Sequence, residues 1–567
     1  MDQNCRNAIY SDNYFDLIVR YDRYADITKA FPGACSQDFT ISNSILHVPA
    51  ENIPDNMIQL YGYRIVPKCY SLLDTVSLEA SGINKVRNIP ALNLQGQGVL
   101  VGIIDTGIDY TNDAFRYADG TTKIVSIWDQ SIPSETATPM GLNYGTEYSR
   151  EQINKALANA EPYTVVPSVD EDGHGTYLSG IIAGNYNEEH NFSGVVPAAE
   201  IVIVKLKTAK ANLKKFFRIA PDKICYQEND IMTGLKYLGD ISGKLMRPIS
   251  ICIGLGTSQG AHDERSSLSN FITRLTDYPS IAITIAAGNE GHRGLHYFGS
   301  INASTGEDIF ELKVGPNEYG FSMELWGEAP NTYEIDILSP SGEYISRIPA
   351  RFSESREIRF LFEKTIISLN YSLIEPETGE QLILLRFQSP AEGMWRFRVY
   401  ARGNIKKNYH VWMPTHNLLT NGTYFIKPNP NTTLTTPGNT NIPIVVTAYD
   451  VNTQNIFFNA SRGYTRTGNI SPSFAAPGVN VIGPAPNNRY VTRSGTSVAA
   501  AHTAGVAAML LEWGAIRGNN TMIDTQTIKN LLIRGATRDA NLNYPNEEWG
   551  YGKLDIYNTF ASLRSNP

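Results

Sequence analysis

Three polar residues lie where apolar strands end or small-residue helices begin, and their types suit nucleophilic catalysis. Asp105 ends the apolar run VLVGII, His174 opens the segment HGTYLSGIIAG, and Ser497 opens SVAAAHTAG. A serine nucleophile needs a base that accepts its proton and a carboxylate that holds this base in one tautomer. Asp105, His174 and Ser497 supply these groups, so the sequence predicts acyl-transfer chemistry through a serine.

A fourth segment, AAGNEG, places Asn289 directly after another apolar strand. An amide NH₂ at this position is suited to donate to the oxyanion of a tetrahedral intermediate. The backbone N–H of Ser497, at a helix N-terminus, is the second expected donor. Together these four residues predict a complete site for acyl transfer.

Each segment also has a simpler interpretation when it is taken alone. IIDTGID has the form of one half of an aspartic peptidase site, although the chain contains a single DTG. GTS before a small-residue helix is most often an N-cap in front of a packed helix. The serine-nucleophile hypothesis is preferred because it explains all four segments together.

The segments that carry these residues predict an α/β domain with a doubly wound parallel sheet. Wholly apolar strands are expected at 99–105, 201–206, 249–255 and 281–287, and segments with helical spacing separate them. The same strand pattern returns in IPIVVTAYD, after which two helices end the chain. Buried strands that alternate with helices are typical of this fold class.

Two further units are expected around this sheet. Residues 14–66 predict a small α+β unit, and short aromatic-rich strands between Gly299 and about Thr435 predict an all-β sandwich inserted into the α/β domain. The expected division is 1–70, 71–299, 300–435 and 436–567. We hypothesise that the insertion clamps the α/β domain and restricts its mobility.

Composition excludes several classes of function. The chain has 567 residues with 48 basic and 56 acidic side chains, and no basic block for gripping nucleic acid. The N-terminus lacks the pattern of a secretory signal, and no run of eighteen apolar residues predicts a membrane span. Five cysteines without metal-binding spacing predict ordinary thiols and a cytoplasmic protein.

At this point the chain resembles the subtilisin-like serine peptidases, or subtilases. DTGID, DGHGT, AAGNEG and GTSVA match the motifs of that family in order, around Asp105, His174, Asn289 and Ser497. The resemblance implies a serine endopeptidase with no required cofactor. It also implies a strand that pairs with an extended substrate, formed by Gly254, Leu255 and Gly256, and a wall of the specificity pocket, formed by Ala286, Ala287 and Gly288.

The N-terminal unit is similar in position and size to a subtilase prodomain, which chaperones folding and then remains as a bound inhibitor. The resemblance implies that the tail IVPKCYSLLD lies in the substrate cleft, with self-cleavage near Tyr70. The prodomain and the long β insertion, which would be a jelly roll, look most like the clostridial Csp germination proteases. Those are packaged in spores and cut the pro-form of a cortex-lytic hydrolase.

Two residues depart from the family pattern. Ala501 replaces a proline before His502, and Tyr177 replaces the second histidine of the base segment. We expect changes in packing and rate rather than inactivity, because neither position transfers a proton or binds the oxyanion. The competing hypothesis is a catalytically silent scaffold or germinant sensor.

No metal site is predicted from the remaining residues. Four acidic residues have oxygen ligands suited to calcium, but a solvated acidic loop is the preferred explanation, and calcium stays unassigned. These are Asp109, Asp170, Glu171 and Asp172. The remaining histidines have no metal-binding spacing. The physiological substrate, the P1 preference and the oligomeric state do not follow from the sequence.

Overall fold

The N-terminal unit is built on an antiparallel sheet, and two of its helices can be given bounds. The computed structural model describes residues 3–20, 27, 30–31, 33–38, 43–54, 56–72 and 79–564. The helices are Gln3–Tyr10 and Met57–Tyr61. The strands are β1 (Tyr14–Arg20), β2 (Cys35–Asp38) and β3 (Asn43–Pro49), in the order β1-β3-β2. A separate short strand, β4 (Cys69–Leu72), follows.

The next part of the chain contributes six of the eight strands of the central sheet. Its strands are β5 (Leu100–Asp105), β6 (Ile124–Asp129), β7 (Thr146–Ser149), β8 (Glu200–Lys205), β9 (Tyr226–Gln227), β10 (Ile249–Ile253), β11 (Leu255–Gly256) and β12 (Ile281–Ala286). The predicted strand at 249–255 is divided at Gly254. Only β10 stays in the central sheet, and β11 pairs with β4 instead.

The inserted region forms two facing antiparallel sheets. Its strands are β13 (His296–Ser300), β14 (Glu307–Val314), β15 (Gly320–Gly327), β16 (Thr332–Leu338), β17 (Tyr344–Ile348), β18 (Ser353–Arg359), β19 (Ile366–Ser372), β20 (Gln381–Gln388), β21 (Gly393–Arg402), β22 (Asn408–Trp412) and β23 (Tyr424–Phe425). The sheets have the orders β13-β22-β15-β20-β19-β18 and β17-β16-β21-β14-β23. Alternate apolar side chains fill the space between them, as expected for a sandwich.

The chain then returns to the central sheet with β24 (Ile444–Tyr449) and β25 (Phe474–Pro477), followed by the hairpin β26 (Val481–Ala485) and β27 (Arg489–Arg493). The sheet order is β25-β24-β12-β10-β5-β8-β6-β7. Neighbouring strands are parallel except for the edge strand β7, which is antiparallel to β6. The predicted fold class is therefore confirmed.

Helices cover both faces of the central sheet. One face packs mainly against His174–Ala183 and Thr496–Leu511, and the other against Glu228–Leu245 and Ser267–Leu275. The other helices outside the N-terminal unit are Ile83–Asn88, Arg150–Leu157, Ala211–Phe217, Thr525–Gly535 and Ile556–Arg564. Thr496–Leu511 is fully buried because alanine, glycine and threonine let neighbouring backbones approach closely.

Helix Thr496–Leu511 continues as a π-helical turn to Ile516, and this segment is long and apolar enough to cross a membrane. However, 83% of its most apolar window is buried inside the fold. It lies against the central strands β10, β12 and β24. Its composition is thus explained as that of a core helix.

The cysteines differ from the prediction of ordinary thiols at one position. Cys35 is disulfide-bonded, so the prediction is wrong for this residue. Cys69, Cys225 and Cys252 are buried free thiols.

Candidate active site

Asp105 and His174 are brought together by the carboxyl end of β5 and the N-terminus of a helix. His174 Nδ1 lies 2.8 Å from Asp105 Oδ1, and both side chains are buried. Gly175 N–H donates to Thr106 Oγ1 at 2.9 Å, which ties the helix to the residue after Asp105. Asp105 therefore accepts from Nδ1 and leaves Nε2 of the imidazole as the acceptor.

The position of His174 depends on a cap by Asp170. Its carboxylate accepts from Gly173 N–H at 2.9 Å and from both the N–H and the hydroxyl of Thr176. Gly173 has a φ of 82°, a conformation that glycine adopts without a steric penalty. The cap satisfies N–H groups at the start of the helix and fixes where His174 leaves the backbone.

Ser497 faces the other nitrogen of the same imidazole. Its hydroxyl lies 3.3 Å from His174 Nε2, and the side chain is fully buried. Ser497 is the second residue of helix Thr496–Leu511, whose first N–H groups have no partner within the helix. The structure thus brings together the three residues that the sequence pairs as nucleophile, base and carboxylate.

Asn289 is oriented by hydrogen bonds to Thr496. Its side-chain oxygen accepts from the N–H of Thr496 at 3.1 Å and from the hydroxyl at 3.2 Å. Gly288 N–H donates to the same hydroxyl at 3.1 Å. Because the amide oxygen is occupied, the NH₂ of Asn289 is available beside Ser497, as an oxyanion donor requires.

Gly254 lies directly against Ser497 and His174. A Cβ placed on Gly254 would be 3.2 Å from Ser497 Cβ and 3.4 Å from His174 Cε1. The next two residues, Leu255 and Gly256, form β11, which pairs antiparallel with β4. The predicted substrate-pairing segment is therefore already occupied by a strand of the same chain.

Strand β4 lies between two strands of the cleft. Leu72 is opposite Leu255 and Ser71 is opposite Gly256 on one side. On the other side, β4 pairs antiparallel with β9. The first two residues of β4 pair with β9 and the last two with β11, so main-chain pairing holds the strand along its length, as it holds an extended peptide that adds to a sheet edge.

Ala286 ends β12, and Ala287 and Gly288, the rest of the predicted pocket wall, follow it directly. Thr435 fills the space between Gly256 and Gly288, because a side chain at either glycine would overlap its hydroxyl. The Thr435 N–H donates to Ala287 O at 3.0 Å and its hydroxyl to the same oxygen at 3.3 Å. Thr435 thus limits the depth of the predicted specificity pocket.

The two departures from the family pattern are explained by packing. Tyr177 is buried and its hydroxyl donates to Val481 O at 2.9 Å, which connects the helix of His174 to the hairpin β26–β27. Ala501 is buried in helix Thr496–Leu511, and His502 Nε2 lies 2.9 Å from Ser81 Oγ. Burial lowers the pKa of His502 to about 3, so this residue is a neutral structural histidine.

The four acidic residues considered for calcium already have partners within the protein. Asp109 accepts from the N–H and hydroxyl of Thr111, and Asp170 caps the helix of His174. Glu171 lies 2.9 Å from Lys205. Asp172 pairs with Arg493 at 3.9 Å, and burial raises its pKa. Among the described residues, no cluster of three or more acidic, histidine or cysteine side chains has the arrangement of a metal site.

Two parts of the cleft were not predicted from the sequence. Tyr226 and Gln227 form the second strand beside β4, and Thr435 limits the pocket. No sequence motif marks these residues. Tyr226 and Gln227 act through their backbone, and Thr435 acts through the volume of its side chain. The return of the parallel-strand pattern after the insertion shows only that the chain re-enters the central sheet near Thr435, and not where its side chain lies.

Known proteins resemble this chain in sequence and in fold. The model of the subtilase family matches residues 96–309 and 371–552. The solved structure of the CspB protease of Clostridium perfringens is similar with a TM-score of 0.76 and 30% identity, covering 86% of this chain and 97% of that one.

Curated relatives are more distant in sequence. A C5a peptidase of Streptococcus pyogenes is 21% identical over 458 residues, which cover 73% of this chain and 34% of that protein. A subtilisin-like protease of Arabidopsis thaliana is 28% identical over 159 residues, covering 25% of this chain and 18% of that protein. The chain spans about a third of the length of the C5a peptidases that it matches. The family match covers more than half of the chain and includes all four motif residues, so the chain belongs to the subtilase family.

Proposed function

We propose that this subtilase is a serine endopeptidase with Ser497 as nucleophile, His174 as general base and Asp105 as the carboxylate that orients His174. In the first step Ser497 Oγ bonds to the scissile carbonyl carbon and its proton passes to His174 Nε2. The carbonyl oxygen becomes an oxyanion that accepts from Asn289 NH₂ and the Ser497 N–H. His174 then protonates the amine as the C–N bond breaks.

The second half of the reaction releases the acyl group. Water gives a proton to His174 Nε2 and its oxygen attacks the ester carbon. The second tetrahedral intermediate uses the same two oxyanion donors. The bond to Ser497 Oγ breaks, and the proton on His174 returns to that oxygen, which restores the free enzyme.

One observation carries the proposal: the three side chains are connected in line, at 2.8 Å and 3.3 Å, at the end of a cleft that holds an extended peptide strand. A base within hydrogen-bond reach of both its nucleophile and its orienting carboxylate is the arrangement that serine hydrolysis requires. A scaffold that only binds a peptide would not need this connection.

We also propose that the first substrate is the chain itself. In the strand register, Leu72 lies opposite Leu255. Gly254, the residue before Leu255, lies against Ser497 and His174. In antiparallel strands one step back on one strand is one step forward on the other. We therefore propose the bond after Leu73 as the cut, three residues beyond Tyr70. Leu73 lies outside the described residues.

For a substrate in trans, we propose another protein. The similarity to the CspB protease and the resemblance to the germination proteases favour the pro-form of a cortex-lytic hydrolase in spores. In this proposal the N-terminal unit stays as an inhibitor after the cut, because β4 occupies the position of a substrate strand.

The test combines self-cleavage with turnover of a peptide. The intact mass of the wild-type chain is compared with that of Ser497→Ala, and both are assayed on a quenched fluorescent peptide of residues 67–78. We expect the wild type to divide after Leu73 and Ser497→Ala to stay whole. Asn289→Ala should lower kcat by about 10²- to 10³-fold with little change in KM, the range known for oxyanion donors of this family.

Ser494→Ala is the matched control, because this serine lies three residues earlier and its hydroxyl contacts Asn480 rather than the site. It should cut itself like the wild type. If the wild type and Ser497→Ala both stay whole and neither hydrolyses the peptide, the silent scaffold is favoured. A cut that persists in Ser497→Ala would exclude Ser497 as the nucleophile.

A further inference from the structure

Two free cysteines meet where the tail strand β4 joins the cleft. Cys69 is the first residue of β4, and Cys225 immediately precedes β9. Both side chains are fully buried and belong to the same apolar cluster, with Leu213 and Phe217 of a neighbouring helix. Both are free thiols in this structure.

Strand pairing places the two side chains on one face of the ladder. Cys69 is opposite Gln227, and Cys225 lies two residues before Gln227. Side chains two residues apart on an extended segment point to the same side. The backbone of Cys225 is held on its other side by the N–H of Ala209, which donates to Cys225 O at 2.8 Å. The thiols are thus diagonal neighbours across the strand pair.

The thiols also differ in acidity, as the two members of a reactive pair do. Interaction with the Cys225 thiol raises the pKa of Cys69, and interaction with the Cys69 thiol lowers the pKa of Cys225. The charge of Lys214 favours the thiolate of Cys225 as well. By contrast, burial raises the pKa of Cys252, which lies in the central sheet.

We propose that Cys69 and Cys225 form a reversible disulfide that locks the tail strand into the cleft. This inference goes beyond the proposed function, and its consequence for the cut chain rests on that function. Cleavage after Leu73 would leave Cys69 on the N-terminal piece and Cys225 on the remainder. The disulfide would then hold the inhibitor covalently until a reductant releases it.

A low-molecular-weight disulfide, RSSR, is the oxidant in this proposal. The Cys225 thiolate attacks one sulfur, the S–S bond breaks, and one RS⁻ leaves with its electron pair. Cys69 then gives up its proton and attacks the sulfur of Cys225, which releases the second RS⁻. The two cysteines lose two electrons, RSSR gains them, and the two protons convert the leaving groups into two RSH.

A cavity brings solvent close to this pair. Its volume is about 1060 Å³, and Ala209, Ile224 and Tyr226, the immediate neighbours of Cys225, line it. Because neither thiol is exposed, we expect oxidation to need local opening of this wall and to be slower than at a surface cysteine.

The test of the disulfide itself uses the uncut Ser497→Ala chain with oxidised glutathione as the probe. We expect the loss of two hydrogens and a Cys69–Cys225 cross-linked peptide after digestion without reductant. Cys252→Ser in the same background should form it equally, whereas Cys69→Ser and Cys225→Ser should not. The thermal midpoint of each variant shows that it is folded. The proposal would be overturned if Cys69 and Cys225 both stay free, or each carries a separate glutathione, in the folded oxidised chain.

The wild-type chain tests the lock. Under denaturing conditions without reductant, we expect the N-terminal piece to stay attached to the remainder after oxidation and to separate when dithiothreitol is added. Cys225→Ser should release it in both conditions. The mass under reducing conditions reports the cut independently, so failure of the proposed self-cleavage is distinguished from failure of the disulfide. A piece that separates from the oxidised wild type would show that the tail is not locked.

Discussion

At the scale of single residues, Thr435 has the largest expected effect on which peptides fit the cleft. Its side chain occupies the space between Gly256, of the predicted substrate strand, and Gly288, of the predicted wall of the specificity pocket. Glycine at both positions leaves room for a substrate side chain, and Thr435 takes part of that room. The pocket should therefore accept a P1 side chain of medium size, such as leucine.

We expect Thr435→Ala to deepen the pocket. The preference for phenylalanine over leucine at P1 should rise by about tenfold, since one or two carbon atoms in an apolar pocket have effects of this size. This preference is measured as the ratio of the kcat/KM values for two peptides that differ only at P1. Thr436→Ala, whose hydroxyl contacts Asn439 away from the glycines, should leave the ratio unchanged. An unaltered ratio in Thr435→Ala would show that another residue limits the pocket.

The sequence predicts reactive residues better than residues that act by shape. Asp105, His174, Asn289 and Ser497 each lie in a short motif whose chemistry can be read locally, and the structure brings all four together. Thr435 acts through its position relative to two distant glycines. That position depends on how the chain re-enters the sheet after the insertion, which no local pattern contains.

At the scale of elements, strand β1 is attached to the rest of the protein by a buried ion pair. Asp16 Oδ1 lies 2.7 Å from Lys210 Nζ and 2.6 Å from His47 Nδ1, and Gln227 donates to the other oxygen at 3.0 Å. Burial alone would raise the pKa of Asp16, but Lys210 and His47 hold it below its ordinary value near 3.8. The carboxylate is therefore charged in the folded protein.

This ion pair predicts a loss of stability in acid. A carboxylate whose pKa is lowered on folding stabilises the protein above the pKa of the unfolded chain. That contribution should fall as the pH drops below about 3.8 toward the lower folded value. The thermal midpoint should therefore decrease between pH 4 and pH 2, and part of this decrease should be absent in Asp16→Asn.

The same variant should be less stable at neutral pH, by about 3–5 kcal/mol in the free energy of unfolding, because Lys210 remains buried without its partner. Asp38→Asn is the control, since Asp38 lies in the same sheet but is exposed and contacts only Ser44 among the described residues. Equal pH profiles for Asp16→Asn and the wild type would show that the pair does not contribute.

The limits of prediction at this scale are clear at Gly254. The run ISICIGL is apolar throughout, so the sequence predicts one strand, yet the chain leaves the central sheet at Gly254 and Leu255 pairs with β4. Periodicity reports burial and not the partner of each strand. The order of buried strands and helices was sufficient to predict the fold class. The division of this strand at Gly254 could not be predicted, because it depends on the pairing of Leu255 with β4.

At the scale of the whole molecule, the inserted sandwich and the N-terminal unit share an apolar core. Trp326 and Leu384 of the insertion belong to the same buried cluster as Phe15 and Leu17 of the N-terminal unit. The continuous run LILL in β20 signals burial on both faces, but strand alternation alone does not reveal which unit covers the outer face. This contact extends the clamp hypothesis from the α/β domain to the N-terminal unit.

Two neighbouring leucines separate this contact from general stability. Leu384 faces the shared cluster and Leu385 faces the interior of the sandwich, and both are fully buried. Each substitution by alanine should cost about 2–5 kcal/mol. We expect only Leu384→Ala to speed amide hydrogen exchange in β1 and β3. Equal protection of these strands in the two variants would contradict the shared-core interpretation.

The order of the elements along the chain also sets a schedule for synthesis. Ser497, the proposed nucleophile, is 323 residues downstream of His174, the proposed base. Strands β24 and β25, which help to bury the helix of Ser497, follow the insertion. At a typical elongation rate of about 5–20 residues per second, roughly 15 to 65 s pass between the two residues. During that interval the nascent chain has a base and an oriented carboxylate but no serine to activate. A ribosome that stops before Ser497 therefore releases a product without the proposed nucleophile, and the order of the residues along the chain delays activity until the N-terminal unit, the insertion and the central sheet have been synthesised.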